Sequence, residues 1–235
     1  MTTTLTTGPA GSISHDHTWR QRLRRRLGRA VGQLAAPLIR PQQEHRRSQF
    51  NALGCPSGRI VFLGDSITEQ CLWNEWFPEL PVLNRGIGGE TSGQVLDRLD
   101  SAINEPLAVF LLIGTNDLSV GFAEDEIVQN VRDTLREIAR RAEDCPVYVQ
   151  SVMPRTAAYR DRISRLNERL EQLCETDFPS SRYIDLWPAL ATPEGTLRPD
   201  YSLDKLHLNA AGYRSWVERI RPHVVMHSQA AKPGS

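Results

Sequence analysis

The stretch IVFLGDSITE, residues 60–69, places a short apolar run directly before a glycine, an aspartate and a serine. Residues 60–63 have the length and branched apolar composition of a buried strand. Ser66 then stands at the corner where the strand turns into the next element. A hydroxyl there either caps the following helix or acts as a nucleophile held up for attack. The rest of the chain has to distinguish these two interpretations.

Further strand-like runs follow at residues 82–83, 108–113, 147–152 and 183–184, with helical patterns between them. One helical face repeats from Ile127 to Ala142, another from Ile163 to Leu173, and a closing helix is predicted over 211–220. Strands that alternate with helices predict an α/β fold, a mostly parallel sheet with helices on both faces. No internal repeat and no second domain is visible, so we predict one domain over residues 51–225.

In such a sheet the ligand site lies outside the carboxyl ends of the strands. Three of these ends read GDS at 64–66, NRGIGG at 84–89 and GTND at 114–117. All three segments are small, polar and rich in glycine. Their coincidence is more informative than any one of them.

A serine nucleophile needs a base, and His207 is the one histidine of six between the first strand and the end of the predicted closing helix at residue 220. Asp204 precedes it by three residues, a spacing that lets one turn supply both the base and the carboxylate that orients it. Candidate donors to an oxyanion are the Ser66 N–H, the Gly89 N–H and the Asn116 amide. Turns, a helix cap or a phosphate cradle are the alternatives for the glycine and asparagine segments. Asp65 is expected to hold the turn by accepting backbone N–H groups.

Four segments together carry a resemblance: GDSIT with Ser66, NRGIGGETS with Gly89, GTND with Asn116, and DKLH with Asp204 and His207. In order and spacing they resemble the SGNH, or GDSL-type, hydrolases over residues 58–222. The second segment is most similar to the branch that includes the platelet-activating-factor acetylhydrolase subunits. The resemblance implies a three-layer αβα, flavodoxin-like fold with a five-stranded parallel sheet, and ester hydrolysis. It also implies Ser66 as nucleophile, His207 as base, Asp204 as its orienting acid, and an oxyanion hole of Ser66, Gly89 and Asn116. Ile67 stands where the family usually has leucine.

The first 50 residues have a different character from the rest of this 235-residue chain, whose formal net charge is zero. Up to Ser48 they hold nine arginines against only Asp16 and Glu44, so the remainder is acidic, which argues against a nucleic-acid partner. We predict a partly disordered basic extension over 1–50 that contains an amphipathic helix at about 19–39. That helix is expected either to contact anionic membrane or to dock on its own domain. We expect a cytoplasmic protein, peripheral at the membrane at most, although secretion by an atypical signal is not excluded. Residues 226–235 are expected to be a disordered tail.

Metal and cofactor chemistry has no visible ligand set in the sequence, so we expect neither. The four cysteines form no CxxC pair and show no zinc spacing with histidine, and we favour thiols over disulfides. A dinucleotide fingerprint fails because Thr91 stands where its third glycine belongs. The Gly-x-Ser-x-Gly elbow of α/β-hydrolases is absent as well.

Substrate is the least constrained property. Trp73 is a candidate wall of an acyl pocket, although core packing is an alternative. Arg85 is a candidate contact for an anionic group, and a solvated surface arginine is the alternative favoured. The short connections favour an open site and a short acyl group on a carbohydrate or lipid. Three functions remain: a serine esterase, a lysophospholipase or acyltransferase on the same scaffold, and a catalytically silent protein that docks on membranes.

Overall fold

The computed structural model describes residues 40–178 and 180–227. In that part of the chain five parallel strands form one sheet, in the order β2-β1-β3-β4-β5. The predicted α/β fold with a five-stranded parallel sheet is confirmed. The strands are β1 Ile60–Gly64, β2 Val82–Gly86, β3 Ala108–Leu112, β4 Val147–Gln150 and β5 Ser181–Ile184.

Helices lie on both faces of the sheet. The two longest carry the predicted apolar faces, and the last is capped by Asn209, whose side chain accepts the N–H groups of Ala211 and Gly212. The helices are α1 40–53, α2 Ser66–Glu69, α3 Trp73–Trp76, α4 Ser92–Leu96, α5 Thr115–Ser119, α6 Glu124–Arg141, α7 Ala157–Asp177, α8 Trp187–Leu190 and α9 Ala210–Val225.

Alternation along the strands creates a core on each face. Val61 and Leu63 point into the layer that holds α6 and α7, whereas Ile60 and Phe62 point into the layer that holds α3 and α9. All five residues of β1 are buried, as expected for a central parallel strand covered on both sides. These two cores and the sheet between them give the three-layer αβα arrangement.

Register brings the predicted site segments together. Gly64 at the end of β1 is level with Gly86 of β2 and with Leu112 of β3. The segments that follow these three strands therefore leave the sheet at one edge, side by side. A Cβ on Gly86 would overlap the backbone nitrogen of Glu69, so this position requires the close approach that glycine allows.

Helix α1 changes the boundary expected from the sequence. We assigned residues up to about 50 to a separate extension, but residues 40–53 are helical and Gln43, Arg46 and Arg47 bond to the domain. The predicted amphipathic helix at 19–39 lies outside the described residues, as do positions 228–235 of the predicted tail. All four cysteines lie in the described ranges, and each is a thiol without a disulfide.

Candidate active site

Ser66 begins α2 directly after β1, and Asp65 caps that helix. The Ile67 N–H donates to Asp65 Oδ1 at 3.0 Å, which confirms the structural role expected for this carboxyl. Burial raises the pKa of Asp65 from 3.8 to about 7. The corner fixed in this way presents Ser66 Oγ 2.9 Å from Nε2 of His207.

His207 and Asp204 lie in the loop before α9. His207 Nδ1 and Asp204 Oδ2 are 2.6 Å apart, and Asp204 Oδ1 accepts the backbone N–H groups of Leu206 and His207. The hydrogen bond from His207 is the main reason that the pKa of Asp204 lies below its usual range. An ionised Asp204 makes Nδ1 the protonated nitrogen of a neutral ring, so Nε2 can accept the proton of Ser66 Oγ.

The segment after β2 passes beside Ser66. A Cβ on Gly88 would lie 3.7 Å from Ser66 Cβ, and Gly89 adopts a φ of 76°, in the left-handed region that favours glycine. On the far side of this segment, Asn116 Nδ2 donates one hydrogen bond of 2.9 Å to the Glu90 carbonyl. An amide nitrogen carries two hydrogens, so that bond leaves the second one to donate elsewhere. Ser66, Gly89 and Asn116 thus stand together at one edge of the sheet.

Buried ion pairs beneath this edge were not predicted. The Glu90 side chain is fully buried and accepts from Arg98 Nε at 2.6 Å and from Arg47 Nε at 2.9 Å. Burial raises the pKa of Glu90 and lowers that of Arg98. The sequence signal for this pair is slight, because Glu90 and Arg98 are eight residues apart and Arg47 lies in a polar stretch.

A second buried carboxylate joins two of the site segments. Asp117 accepts the Ser92 hydroxyl at 2.6 Å and the Ser92 N–H at 3.0 Å. Burial raises the pKa of Asp117 to about 6, against the opposing effect of these hydrogen bonds. The start of α4 is therefore tied to α5, which holds the segments after β2 and β3 in a fixed relation.

Trp73 and Arg85 do not have the exposure that substrate contact requires. Trp73 is 1% exposed, stacks on Phe62 in the core and donates its indole N–H to the Thr68 carbonyl at 3.0 Å. Arg85 is 4% exposed, and its guanidinium donates to the carbonyls of Ser101 and Gly54. The alternative of core packing describes Trp73, and Arg85 is a structural cation under α1.

Two further kinds of feature, metal-ligand groups and membrane-spanning helices, were sought among the described residues. Among them no group of three or more His, Cys, Asp or Glu side chains is placed to hold a metal ion. None of the helices in residues 40–178 and 180–227 combines the length and apolar character that a membrane crossing demands.

Comparison with known proteins agrees with this geometry. The chain has the architecture of an ester hydrolase. Its parallel sheet lies between two helical layers, and at the carboxyl edge a histidine contacts both a serine and an aspartate. Residues 62–215 match the GDSL-like lipase/acylhydrolase family, and the chain belongs to that family.

Individual relatives support the same assignment. The chain is 30% identical over 164 residues to platelet-activating factor acetylhydrolase IB subunit alpha1 of Bos taurus, which covers 66% of this chain and 69% of that protein. A GDSL-like lipase from Bacteroides thetaiotaomicron superposes with a TM-score of 0.65 at 25% identity and covers 78% of this chain and 97% of its own. A Streptococcus pneumonia protein shares the fold with a TM-score of 0.76 at 24% identity, over 83% of this chain and 98% of that one.

Proposed function

We propose that this protein hydrolyses short-chain, acetyl-type esters of a carbohydrate or lipid through an acyl-enzyme on Ser66. The observation that carries the proposal is the continuous hydrogen-bonded series from Ser66 Oγ through His207 to Asp204, with contacts of 2.9 and 2.6 Å. Nucleophile and base lie within the range in which a proton can be transferred directly.

The reaction follows from these contacts. His207 Nε2 takes the proton as Ser66 Oγ attacks the ester carbonyl, and Asp204 stabilises the imidazolium that forms. The oxygen of the tetrahedral intermediate is stabilised by the N–H groups of Ser66 and Gly89 and by the Asn116 amide. His207 then protonates the leaving alcohol, and a water molecule activated by the same nitrogen releases the acid.

Exposure around the base supports water as the acceptor and a small acyl group. The side chains of His207 and Asp204 are 30% and 55% exposed, and neighbouring Leu203 projects almost fully into solvent. A site this open gives a long acyl chain little apolar surface to bury. The acetylhydrolase named among the relatives agrees with an acetyl-sized group. Lysophospholipase or acyltransferase activity on the same residues remains the second proposal. Hydrolysis of a lysophospholipid tests the first activity, and the products formed when a sugar alcohol is present test the second.

Ser66→Ala tests the proposal. We expect wild-type protein to hydrolyse p-nitrophenyl acetate faster than the decanoate, and Ser66→Ala to lose this activity with unchanged circular dichroism. A fluorophosphonate probe should label Ser66 and no other serine in intact protein. Turnover by Ser66→Ala above about one hundredth of the wild-type rate would assign the chemistry to another nucleophile.

A further inference from the structure

One face of α1 reaches the segment that carries Gly89. Gln43, Arg46 and Arg47 follow the i, i+3, i+4 spacing that places side chains on the same side of a helix. Gln43 contacts Gly88, and Arg47 contacts Glu90, so α1 touches both neighbours of Gly89. Arg46 acts one step further away, since it binds Glu69 Oε1 while Glu69 Oε2 accepts the Gly88 N–H.

Gln43 holds the peptide group that contains the Gly89 N–H. Its Nε2 donates to the Gly88 carbonyl oxygen at 3.1 Å. That carbonyl and the Gly89 N–H are opposite ends of one planar trans peptide, and no cis peptide occurs in the described residues. Fixing the direction of the carbonyl therefore fixes the N–H in the opposite direction.

The Gln43 amide is itself held in place. The side chain is 4% exposed, and its Oε1 accepts from Gln94 Nε2 at 3.3 Å. Because the Gln94 amide donates to Oε1, the Gln43 nitrogen is the atom that faces Gly88. The orientation of the 88–89 peptide thus depends on two glutamines, one of them outside the region matched by the family.

Gly89 is where such support matters most. Glycine has the widest conformational freedom of any residue, so a peptide beside it rotates easily unless its neighbours are bound. Gly88 is bound at both its N–H and its carbonyl, and Glu90 is bound through its side chain to two arginines and through its carbonyl to Asn116.

We propose that α1 is a positioning element of the oxyanion hole, and that Gln43 is the positioning residue that orients the Gly89 N–H toward the developing oxyanion. The proposal rests on the proposed function, since the direction of this N–H affects the rate only if an ester carbonyl gains charge beside Ser66. Gln43 acts through the Gly88 carbonyl, which its side-chain amide binds.

Two replacements in the full-length chain test the role of Gln43. Gln43→Met keeps the length without a donor, and Gln43→Glu keeps the acceptor toward Gln94 while it removes the donor toward Gly88. With p-nitrophenyl acetate both should lower kcat about tenfold or more, a share of the 10²–10³-fold loss typical for one oxyanion donor, with KM within about twofold. Affinity for a trifluoromethyl ketone, whose hemiketal oxygen carries the charge, should fall by the same factor as kcat/KM.

Phe50→Leu is the matched control. Phe50 is a buried residue of the same helix, and its ring packs under the Arg85 guanidinium, with Arg85 Cζ 4.4 Å from the ring centre. It should lower the melting temperature at least as much as Gln43→Met while kcat stays near wild type.

Two results would overturn the inference. One is a kcat within about twofold of wild type in both Gln43 variants, and the other is an equal kcat loss in Phe50→Leu at equal loss of melting temperature. These outcomes are distinct from failure of the proposed function. A Ser66→Ala protein that keeps its activity rejects the mechanism, whereas an inactive Ser66→Ala with fully active Gln43 variants rejects only the role of α1.

Discussion

Asn116 has two uses for one amide group. One hydrogen binds the Glu90 carbonyl at 2.9 Å, which fixes the plane of the amide, and the second is the proposed donor to the oxyanion. Such a donor contributes to the transition state much more than to the bound ester, because charge develops on the oxygen only during attack.

Asn116→Ala should therefore lower kcat much more than it raises KM. Loss of one oxyanion donor costs about 2.7 to 4 kcal/mol in the transition state. Steady-state kinetics on p-nitrophenyl acetate measures both constants, and Ser119→Ala on the same short helix is the control. A change confined to KM would mean that Asn116 binds the ground state or only braces the loop.

Single residues also mark where sequence reasoning stopped. The contacts of His207 with Ser66 and with Asp204 were predictable from the serine at a strand end and from the Asp-x-x-His spacing, while the roles of these residues stay predictions. The burial of Arg85 was not predictable from the sequence, because its carbonyl partners Ser101 and Gly54 are 16 and 31 residues away. A pattern of neighbouring residue types contains no information on such distant partners.

At the scale of elements, β2 and α1 were the least predictable. The sequence predicts only residues 82–83 as strand, but β2 continues to Gly86 because Asn84 and Arg85 find polar partners at the sheet edge. Residues 42–47 read QQEHRR and look solvated, yet Gln43 is buried and Arg47 reaches a buried carboxylate. The long helices α6 and α7 were predictable, because their apolar faces repeat within the element itself.

The Glu90–Arg98 pair joins the segment after β2 to the turn that follows α4 and to the sheet. Besides Glu90, Arg98 donates to the Arg85 carbonyl at 2.9 Å. Arg98→Met should destabilise the fold by about 3 to 5 kcal/mol, because it leaves a buried carboxylate short of a partner. Urea unfolding measures this, and Glu90→Gln together with Arg98→Met should recover part of the loss. Arg140→Met, which removes an exposed pair with Glu137, should leave the midpoint nearly unchanged.

On the scale of the whole molecule, the parallel sheet and the three layers were predictable from the alternation of elements and from the family resemblance. Ligands bind at the carboxyl edge of a parallel sheet, and the small, polar residues of the loops at that edge are visible in the sequence. The same loops bury carboxylates, notably those of Asp65 and Asp117.

These carboxylates should make stability depend on pH. The pKa of Asp65 is raised from 3.8 to about 7, so the folded state holds this proton more tightly than the unfolded chain does. Its contribution to the free energy of unfolding is full below about pH 4 and is lost as pH rises through about 7. Asp117, with a pKa raised to about 6, acts in the same direction.

Asp65→Asn isolates the effect, because asparagine keeps the oxygen that accepts from Ile67. Relative to wild type, its free energy of unfolding in urea should increase between about pH 4 and pH 7, by up to about 1.4 kcal/mol per pH unit. The exposed Glu79→Gln controls for the loss of any carboxylate. A constant difference across this range would contradict a raised pKa at Asp65.

The basic segment at residues 19–39 stays a prediction at this scale. Its six arginines from Arg20 to Arg29 should bind anionic vesicles at low salt, at about 1 kcal/mol per charge near the surface. Sedimentation with phosphatidylserine vesicles should weaken sharply as salt rises, and replacing the six arginines by glutamine should abolish it without loss of esterase activity. Failure of the full-length chain to sediment even at low salt would exclude a membrane anchor.

The connection between α1 and β1 is a site at which a protease could separate α1 from the rest of the enzyme. It turns at Gly54 and Gly58, both with positive φ, and exposes Pro56 and Ser57 to solvent, where a protease can reach the backbone. After a cut there, α1 would be retained by non-covalent contacts alone, among them those with Gly88, Glu69, Glu90, Gln94 and Arg85. Catalytic rate would then follow a binding equilibrium: it would fall on dilution of the nicked protein and return when a peptide containing residues 40–53 is added.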